Sequence, residues 1–126
     1  RAAFEAALNY AQEREAFGKP IIEHQAVAFR LADMATKIEV GRQMYLHAAQ
    51  IHDSGAPSLK EASMAKLFAS DMAETVASDA LQTFGGYGYL EDFPVAKILR
   101  DVRVYRIYEG TNDIQKIVIS RALASS

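Results

Sequence analysis

The sequence predicts an all-α fold: an antiparallel up-and-down four-helix bundle with an additional short helix. Three observations carry that prediction. Apolar residues recur at steps of three and four over long stretches, which lines one face of a helix. No segment sustains the apolar–polar alternation of a strand. The breaks between periodic stretches are short clusters of Gly, Pro, Asp and Ser, and short connections between long helices make neighbours antiparallel.

Residues 2–17 open the chain as a helix, with Phe4, Ala7, Leu8 and Ala11 on one face. Gly18 and Pro20 interrupt it, since Gly is a poor helix residue and Pro restricts the residue before it. The second helix is long. It carries Val27 or Ala28, then Leu31, Met34, Ile38, Gly41, Tyr45 and Ala48 as a near-heptad seam, and it ends at the turn cluster Asp53-Ser54-Gly55-Ala56-Pro57. Ser58-Leu59-Lys60-Glu61 reads as a capping box opening the third helix. Met64, Leu67, Phe68, Met72, Thr75 and Val76 continue its stripe to about Phe84, and Gly85, Gly86 and Gly88 stop it. Pro94 suits the first turn of a short fourth helix, with Val95, Ile98, Leu99 and Val102 on one face. After a break at Glu109-Gly110, Thr111 is the expected N-cap of the last helix. Asn112 and Asp113 lie in its first turn, and it runs toward Ala124.

The bulk numbers agree with an ordinary globular domain. The chain has 126 residues, 50% hydrophobic and 24% charged, enough for one domain with a core of its own. No repeat, low-complexity tract or linker divides residues 1–126. With no cysteine, disulfides, thiolate metal sites and thiol nucleophiles drop out. The net charge is −2 and the basic residues are dispersed, so there is no nucleic-acid stripe and no polybasic membrane patch. No apolar run is long enough to span a bilayer. The chain begins at Arg1 directly in helical pattern, without an initiator Met or signal segment, which reads as a fragment of an unsecreted protein.

Periodicity alone supports only a soluble helical bundle, with Met34, Met64 and Met72 as core filler. His24, His47 and His52 form no pair at metal-ligand spacing, so no metal site is expected. Three segments exceed what scaffolding requires. The first is Arg14-Glu15-Ala16-Phe17-Gly18-Lys19-Pro20, followed by Gln25. The second is Gln82-Thr83-Phe84-Gly85-Gly86-Tyr87-Gly88-Tyr89. The third is Arg100-Asp101 leading to Ile107-Tyr108-Glu109-Gly110-Thr111-Asn112-Asp113-Ile114-Gln115.

In this order and at these separations the three segments resemble the acyl-CoA dehydrogenase family, in its short- and medium-chain-like branch, over essentially the whole chain. The resemblance is to the carboxy-terminal helical domain only; that family also has an amino-terminal helical domain and a middle β-domain. It implies FAD as cofactor, assembly as a homotetramer of dimers, and each FAD held at a subunit interface. A bacterial cytoplasm or a mitochondrial matrix suits such a protein. By itself the 126-residue chain is expected to be inactive.

The resemblance assigns roles residue by residue. Arg14, a fork of donors suited to a pyrophosphate, resembles a ligand of the neighbouring subunit's FAD; unaided, its position reads as a solvated helix-end arginine. Phe17 lies against the cofactor or staples the helix end. Gln25, beside His24, resembles a second contact to the neighbouring FAD. Gln82, Gly85 and Gly86 resemble the turn against the adenosine side, although a glycine there also caps a helix. Tyr87 and Tyr89 read as packing residues, and Arg100, Asp101 and Arg103 as a structural ion-pair cluster.

Tyr108-Glu109-Gly110-Thr111 resembles the family's catalytic motif. Glu109 is the implied base, where an anonymous turn glutamate faces solvent. With Ile107 and Tyr108 beside it, an apolar setting is expected to raise its pKa. The implied chemistry is α,β-dehydrogenation of an acyl-CoA thioester to a trans-2-enoyl-CoA. Glu109 takes the α-proton while its own N–H helps to polarise the thioester carbonyl. Gly110 lies where the thioester passes. Thr111, Asn112 and Asp113, at a helix N-terminus, resemble the residues that meet their own subunit's FAD; Asn112-Asp113 departs from the Ser-Gln or Ser-Glu of several members. Branches with the base on another helix lack a glutamate here. Electron-transfer flavoprotein is the acceptor by analogy. The alternatives are an acyl-CoA oxidase, which shares fold and base, and a non-catalytic helical oligomerisation module.

Overall fold

Alanines at positions 3, 7 and 11 make one edge of α1 (Ala2–Glu13) narrow, and all three are buried. Such small residues let helix axes approach closely. The computed structural model describes residues 1–125. The other helices are α2 (Gln25–Asp53), α3 (Leu59–Phe84), α4 (Pro94–Val102) and α5 (Asn112–Ala124). Single 3₁₀ turns cover Ile21–Glu23, Gly85–Tyr89 and Arg103–Arg106.

The central element is α3, which packs against each of the other four helices. Because it is covered on several sides, it buries small residues that an apolar stripe does not reveal: Ser63, Ala65, Ser70, Ala77, Ala80 and Thr83 besides Val76 and Phe84. The predicted stripe on α3 is accordingly less covered; Met64, Leu67, Phe68 and Met72 are half-buried and Thr75 is exposed. The hydroxyls buried there stay satisfied locally, Thr83 Oγ1 donating to the Asp79 carbonyl at 2.8 Å. The antiparallel pairing of α2 with α3 is marked by Lys37 opposite Asp79 and Gly41 against Met72.

Met34 and Val95 are the largest fully buried side chains. Burying a side chain of that size contributes roughly 1.5–3 kcal/mol. On α2 the predicted seam holds at Leu31, Met34, Gly41 and Ala48, whereas Tyr45 turns out to solvent. One end of the bundle closes on aromatic rings: Tyr10 stacks on Phe84 at 4.2 Å between centroids, and Phe93 packs against Phe84 and Tyr87.

Three local expectations change. The first helix stops at Glu13, and residues 15–20 form a two-residue hairpin with Glu15 opposite Pro20 and Ala16 opposite Lys19. Phe17 (φ 54) and Gly18 (φ 80) both adopt the left-handed conformation that a tight two-residue hairpin turn requires. The Ser58 capping box does not form. Ser58 Oγ lies 3.4 Å from His52 Nδ1, and no helix N–H reaches it. The Glu61 carboxylate meets its own backbone N–H instead, which with Lys60 holds its carboxyl below the usual carboxylate range. The Arg100-Asp101-Arg103 cluster also divides: Asp101 pairs with Lys97 and Arg103 with Glu74, while Arg100 has no ion-pair partner among the described residues. Thr111 does cap α5, its Oγ1 accepting from the Ile114 N–H at 3.3 Å. No helix among the described residues is long and apolar enough to cross a membrane.

Candidate functional site

The end of α1 and the end of α3 meet at the first candidate site. Helix α1 stops at Arg14, and the hairpin turns the chain back so that Ile21 N–H donates to the Arg14 carbonyl at 2.8 Å. Helix α3 stops at Gly85, whose φ of 62 favours glycine. Between them lies a cleft of 530 Å³ lined by Tyr10, Arg14, Thr83, Gly85, Gly86 and Tyr87, among others. Arg14 lies over the Tyr87 ring at 5.4 Å, a cation–π contact that holds the guanidinium at the cleft. A Cβ built on Gly85 or Gly86 would meet nothing within 4 Å, so both backbones face open space. A cation beside an accessible backbone is the chemistry of an anion cradle.

Other predicted residues surround this cleft without lining it. Phe17 is 97% exposed at the hairpin tip, with the His24 ring edge-on at 5.9 Å. It is therefore no staple of the helix end. His24 Nε2 is 2.9 Å from the Ala16 carbonyl oxygen and ties the hairpin to the start of α2, where Gln25 is exposed. Gln82 is exposed on the last turn of α3. Tyr87 packs on Phe93, but Tyr89 is 82% exposed and packs on nothing comparable.

The second site is the turn before α5. Glu109 has φ 53 and Gly110 φ 85, so a non-glycine residue sits in the left-handed region next to a glycine. That geometry is uncommon and persists where surrounding contacts over-determine it. Here the contacts are visible. Lys66 Nζ donates to the Gly110 carbonyl at 2.8 Å and to Asn112 Oδ1 at 2.7 Å; Gln115 Nε2 donates to the Gly110 carbonyl at 3.2 Å and more weakly to that of Glu109. Asn112 is buried. Its Oδ1 also accepts from Ser70 Oγ at 3.0 Å, and its Nδ2 donates to Asp71 Oδ1 at 2.9 Å. The Asn112 side-chain amide is thus engaged inside the bundle with Lys66, Ser70 and Asp71. Asp113 is exposed with an ion pair to Lys116 at 3.4 Å, and the Thr111 hydroxyl oxygen accepts as the cap while its O–H remains a donor.

Glu109 itself is exposed, as are Ile107 and Tyr108 beside it. The apolar seclusion expected for this carboxylate is not supplied by this domain. The flanking rings stack on one another instead, Tyr105 on Tyr108 at 5.6 Å. Close by, Arg106 bridges Asp71 and Glu74: Nη1 donates to Glu74 at 2.8 Å, while Nε lies 2.6 Å from Asp71 but out of line for a hydrogen bond. The Glu74 hydrogen bond, then the Asp71 charge, strengthen its hold on the proton.

The two sites stand apart. Asn112 meets α3 at Ser70 and the cleft meets it at Thr83, 13 residues along the helix; at 1.5 Å per residue that is about 20 Å. Lys66, Ser70 and Gln115 were not assigned from sequence. Ser63, Lys66 and Ser70 lie at steps of three and four as a polar stripe on α3, and that was the available signal.

Residues 1–124 match the family model described as acyl-CoA dehydrogenase, C-terminal domain. An acyl-CoA dehydrogenase of Bacillus subtilis is 53% identical over 122 residues, 97% of this chain and 32% of that protein. Among solved structures, butyryl-CoA dehydrogenase from Megasphaera elsdenii superposes with a TM-score of 0.96 at 44% identity, covering 98% of this chain and 32% of that one. An FAD complex of PigA superposes at 0.93 with 38% identity over 97% of this chain and 32% of its own. The chain therefore spans about a third of the length of the proteins it matches. A helical domain that aligns along nearly its whole length with one family model belongs to that family: this chain is an acyl-CoA dehydrogenase C-terminal domain.

Proposed function

We propose that the protein carrying this domain is an FAD-dependent acyl-CoA dehydrogenase that oxidises a thioester to its trans-2-enoyl-CoA with Glu109 as base. The observation that carries this reading is the turn at residues 109–110. A carboxylate in a left-handed, doubly anchored turn is presented outward with its backbone fixed. Glu109 would remove the α-proton, and its N–H, which has no backbone acceptor among the described residues, is available to the thioester oxygen where negative charge develops. Gly110 leaves the path of the thioester free of a side chain. The exposure of Glu109 in this domain means that the bound substrate and the rest of the protein must exclude water from it.

The residues at the cleft suit the adenosine–pyrophosphate side of FAD. Arg14 brings the charge; Gly85 and Gly86 bring an accessible backbone with no side chain in the way. Phe17 and Gln25, both exposed, remain available to the same ligand. When bound, FAD supplies the acceptor for the β-hydride. At the other site, Thr111 has its O–H to donate to a cofactor and Asp113 its backbone or carboxylate, while the Asn112 amide is engaged within the bundle. The family resemblance supports a homo-oligomer in which the two sites of one chain, about 20 Å apart along α3, serve different FAD molecules. Electron-transfer flavoprotein is the proposed acceptor.

The test is the flavin bleaching of the full-length, FAD-loaded enzyme by acyl-CoA. Glu109→Gln should keep its flavin and slow bleaching by about 10²–10⁴-fold, the usual contribution of a positioned base. Bleaching at the unaltered rate would remove Glu109 from the mechanism.

A further inference from the structure

The turn that carries Glu109 is anchored from behind by a lysine whose chemistry is otherwise unexplained. Lys66 is half-buried on α3 and has no carboxylate within ion-pair reach among the described residues. Its ammonium donates to two neutral oxygens, the Gly110 carbonyl at 2.8 Å and Asn112 Oδ1 at 2.7 Å. A partly covered cation usually recruits an anion. This one is given over to a single turn, 44 residues away in sequence. Asn112, held in its turn by Ser70 and Asp71, fixes the ammonium's second contact.

The arrangement has a direction. The carbonyls of Glu109 and Gly110 are drawn inward, onto Lys66 and onto Gln115 of α5. The N–H groups of the same two residues donate to no backbone acceptor among the described residues. A left-handed non-glycine residue relaxes unless its surroundings hold it. Releasing the 110 carbonyl from Lys66 would free the Gly110–Thr111 peptide to rotate, and the left-handed turn on which Glu109 sits would lose one of its two anchors. A Cβ at Gly110 would come within 2.9 Å of Gln115 Nε2, so the turn and its second anchor are already in close contact.

We propose that Lys66 is a positioning residue for the base, acting through the Gly110 carbonyl, with Gln115 as the second anchor. It rests on the reading of Glu109 given above. Lys66 acts on the Gly110–Thr111 peptide; by holding that carbonyl it keeps the 109–110 turn, and so the Glu109 backbone, in its left-handed conformation.

The experiment uses the full-length FAD-loaded enzyme and four variants: Lys66→Met, which keeps the stem and removes the donor; Lys66→Arg, which keeps a donor; Gln115→Leu on the half-exposed face of α5; and Glu109→Gln. The readout is single-turnover bleaching at saturating acyl-CoA, expressed per bound flavin, beside the acyl-CoA concentration for half-maximal rate. Misplacement of a reacting group by about 1 Å costs on the order of 100-fold, so Lys66→Met should lose between about 10- and 100-fold in rate. Its half-maximal concentration should stay within about twofold, because only an interaction made in the transition state is lost. Lys66→Arg should recover part of the rate, and Gln115→Leu should lose less than Lys66→Met. A rate per bound flavin that Lys66→Met leaves unchanged overturns the proposal. If Lys66→Met does not fold, Gln115→Leu decides, and an unchanged rate there overturns it equally. The control separates the two readings. When Glu109→Gln bleaches normally both fall; when it slows bleaching as expected and the anchor variants do not, only the positioning role falls.

Discussion

Asn112 shows that a residue's place in a motif does not say what its side chain meets within its own domain. It lies three residues after Glu109, the proposed base, and the motif leads one to expect a cofactor contact there. In the fold the amide is buried and joins Lys66, Ser70 and Asp71. Asn112→Ala would leave a lysine and a serine donor without their shared acceptor and Asp71 without one of its donors. Leaving buried polar partners unmade costs about 1–3 kcal/mol, and thermal unfolding of the variant should show a loss in that range. A change under a few tenths would mean that water replaces the amide. The motif identified the turn; it was silent on the direction in which each side chain leaves it. Glu109 and Phe17 carry a different signature, a positive φ on a non-glycine residue, and neither was visible in residue type.

Helix ends were the least legible elements. The capping signal at Ser58 named the start of α3 correctly while its chemistry shifted to the Glu61 carboxylate. The hairpin after α1 was missed because two-residue strands have no period to detect. The glycines after α3 divide in a way that sequence leaves open. A Cβ at Gly88 would lie 2.6 Å from the Leu81 carbonyl oxygen and 2.9 Å from Phe84 Cβ, whereas one at Gly86 meets nothing within 4 Å. Gly88→Ala should therefore destabilise the bundle by about 1–3 kcal/mol, as overpacking against backbone does. Gly86→Ala should leave the melting temperature close to that of the parent and weaken flavin retention in the full-length enzyme. Calorimetry and flavin content measured on both variants check the pair; a stable Gly88→Ala would show that the 3₁₀ turn shifts freely.

On the scale of the whole molecule, small residues at the helix contacts allow close packing, but much apolar surface remains outside. Phe17, Leu59, Phe29 and Tyr89 are all more than half exposed. They are spread over the domain, Leu59 at the start of α3 and Phe17 at the hairpin tip, and offer surface for other chains or domains to cover. The 126-residue chain, expressed alone, should self-associate in sedimentation and retain no stoichiometric flavin, since its two sites lie apart and each offers only part of a dinucleotide's surroundings. A monomer that holds one FAD per chain would contradict the division of the two sites between different cofactors.

Periodicity and turn chemistry determined the helical class, the number of helices and the approximate breaks between them, because helix formation answers to spacing within a few residues. The motifs determined the family and singled out the turn at Glu109. Tertiary structure alone decided the rest: that α3 is covered on several sides, that Lys66 reaches the Gly110 carbonyl, and that Asn112 turns inward. It also decided that Arg14 shares a cleft with Gly85 and Gly86. These contacts join residues tens of positions apart, and which partner a side chain meets across such a gap depends on how the helices pack, which no local window contains.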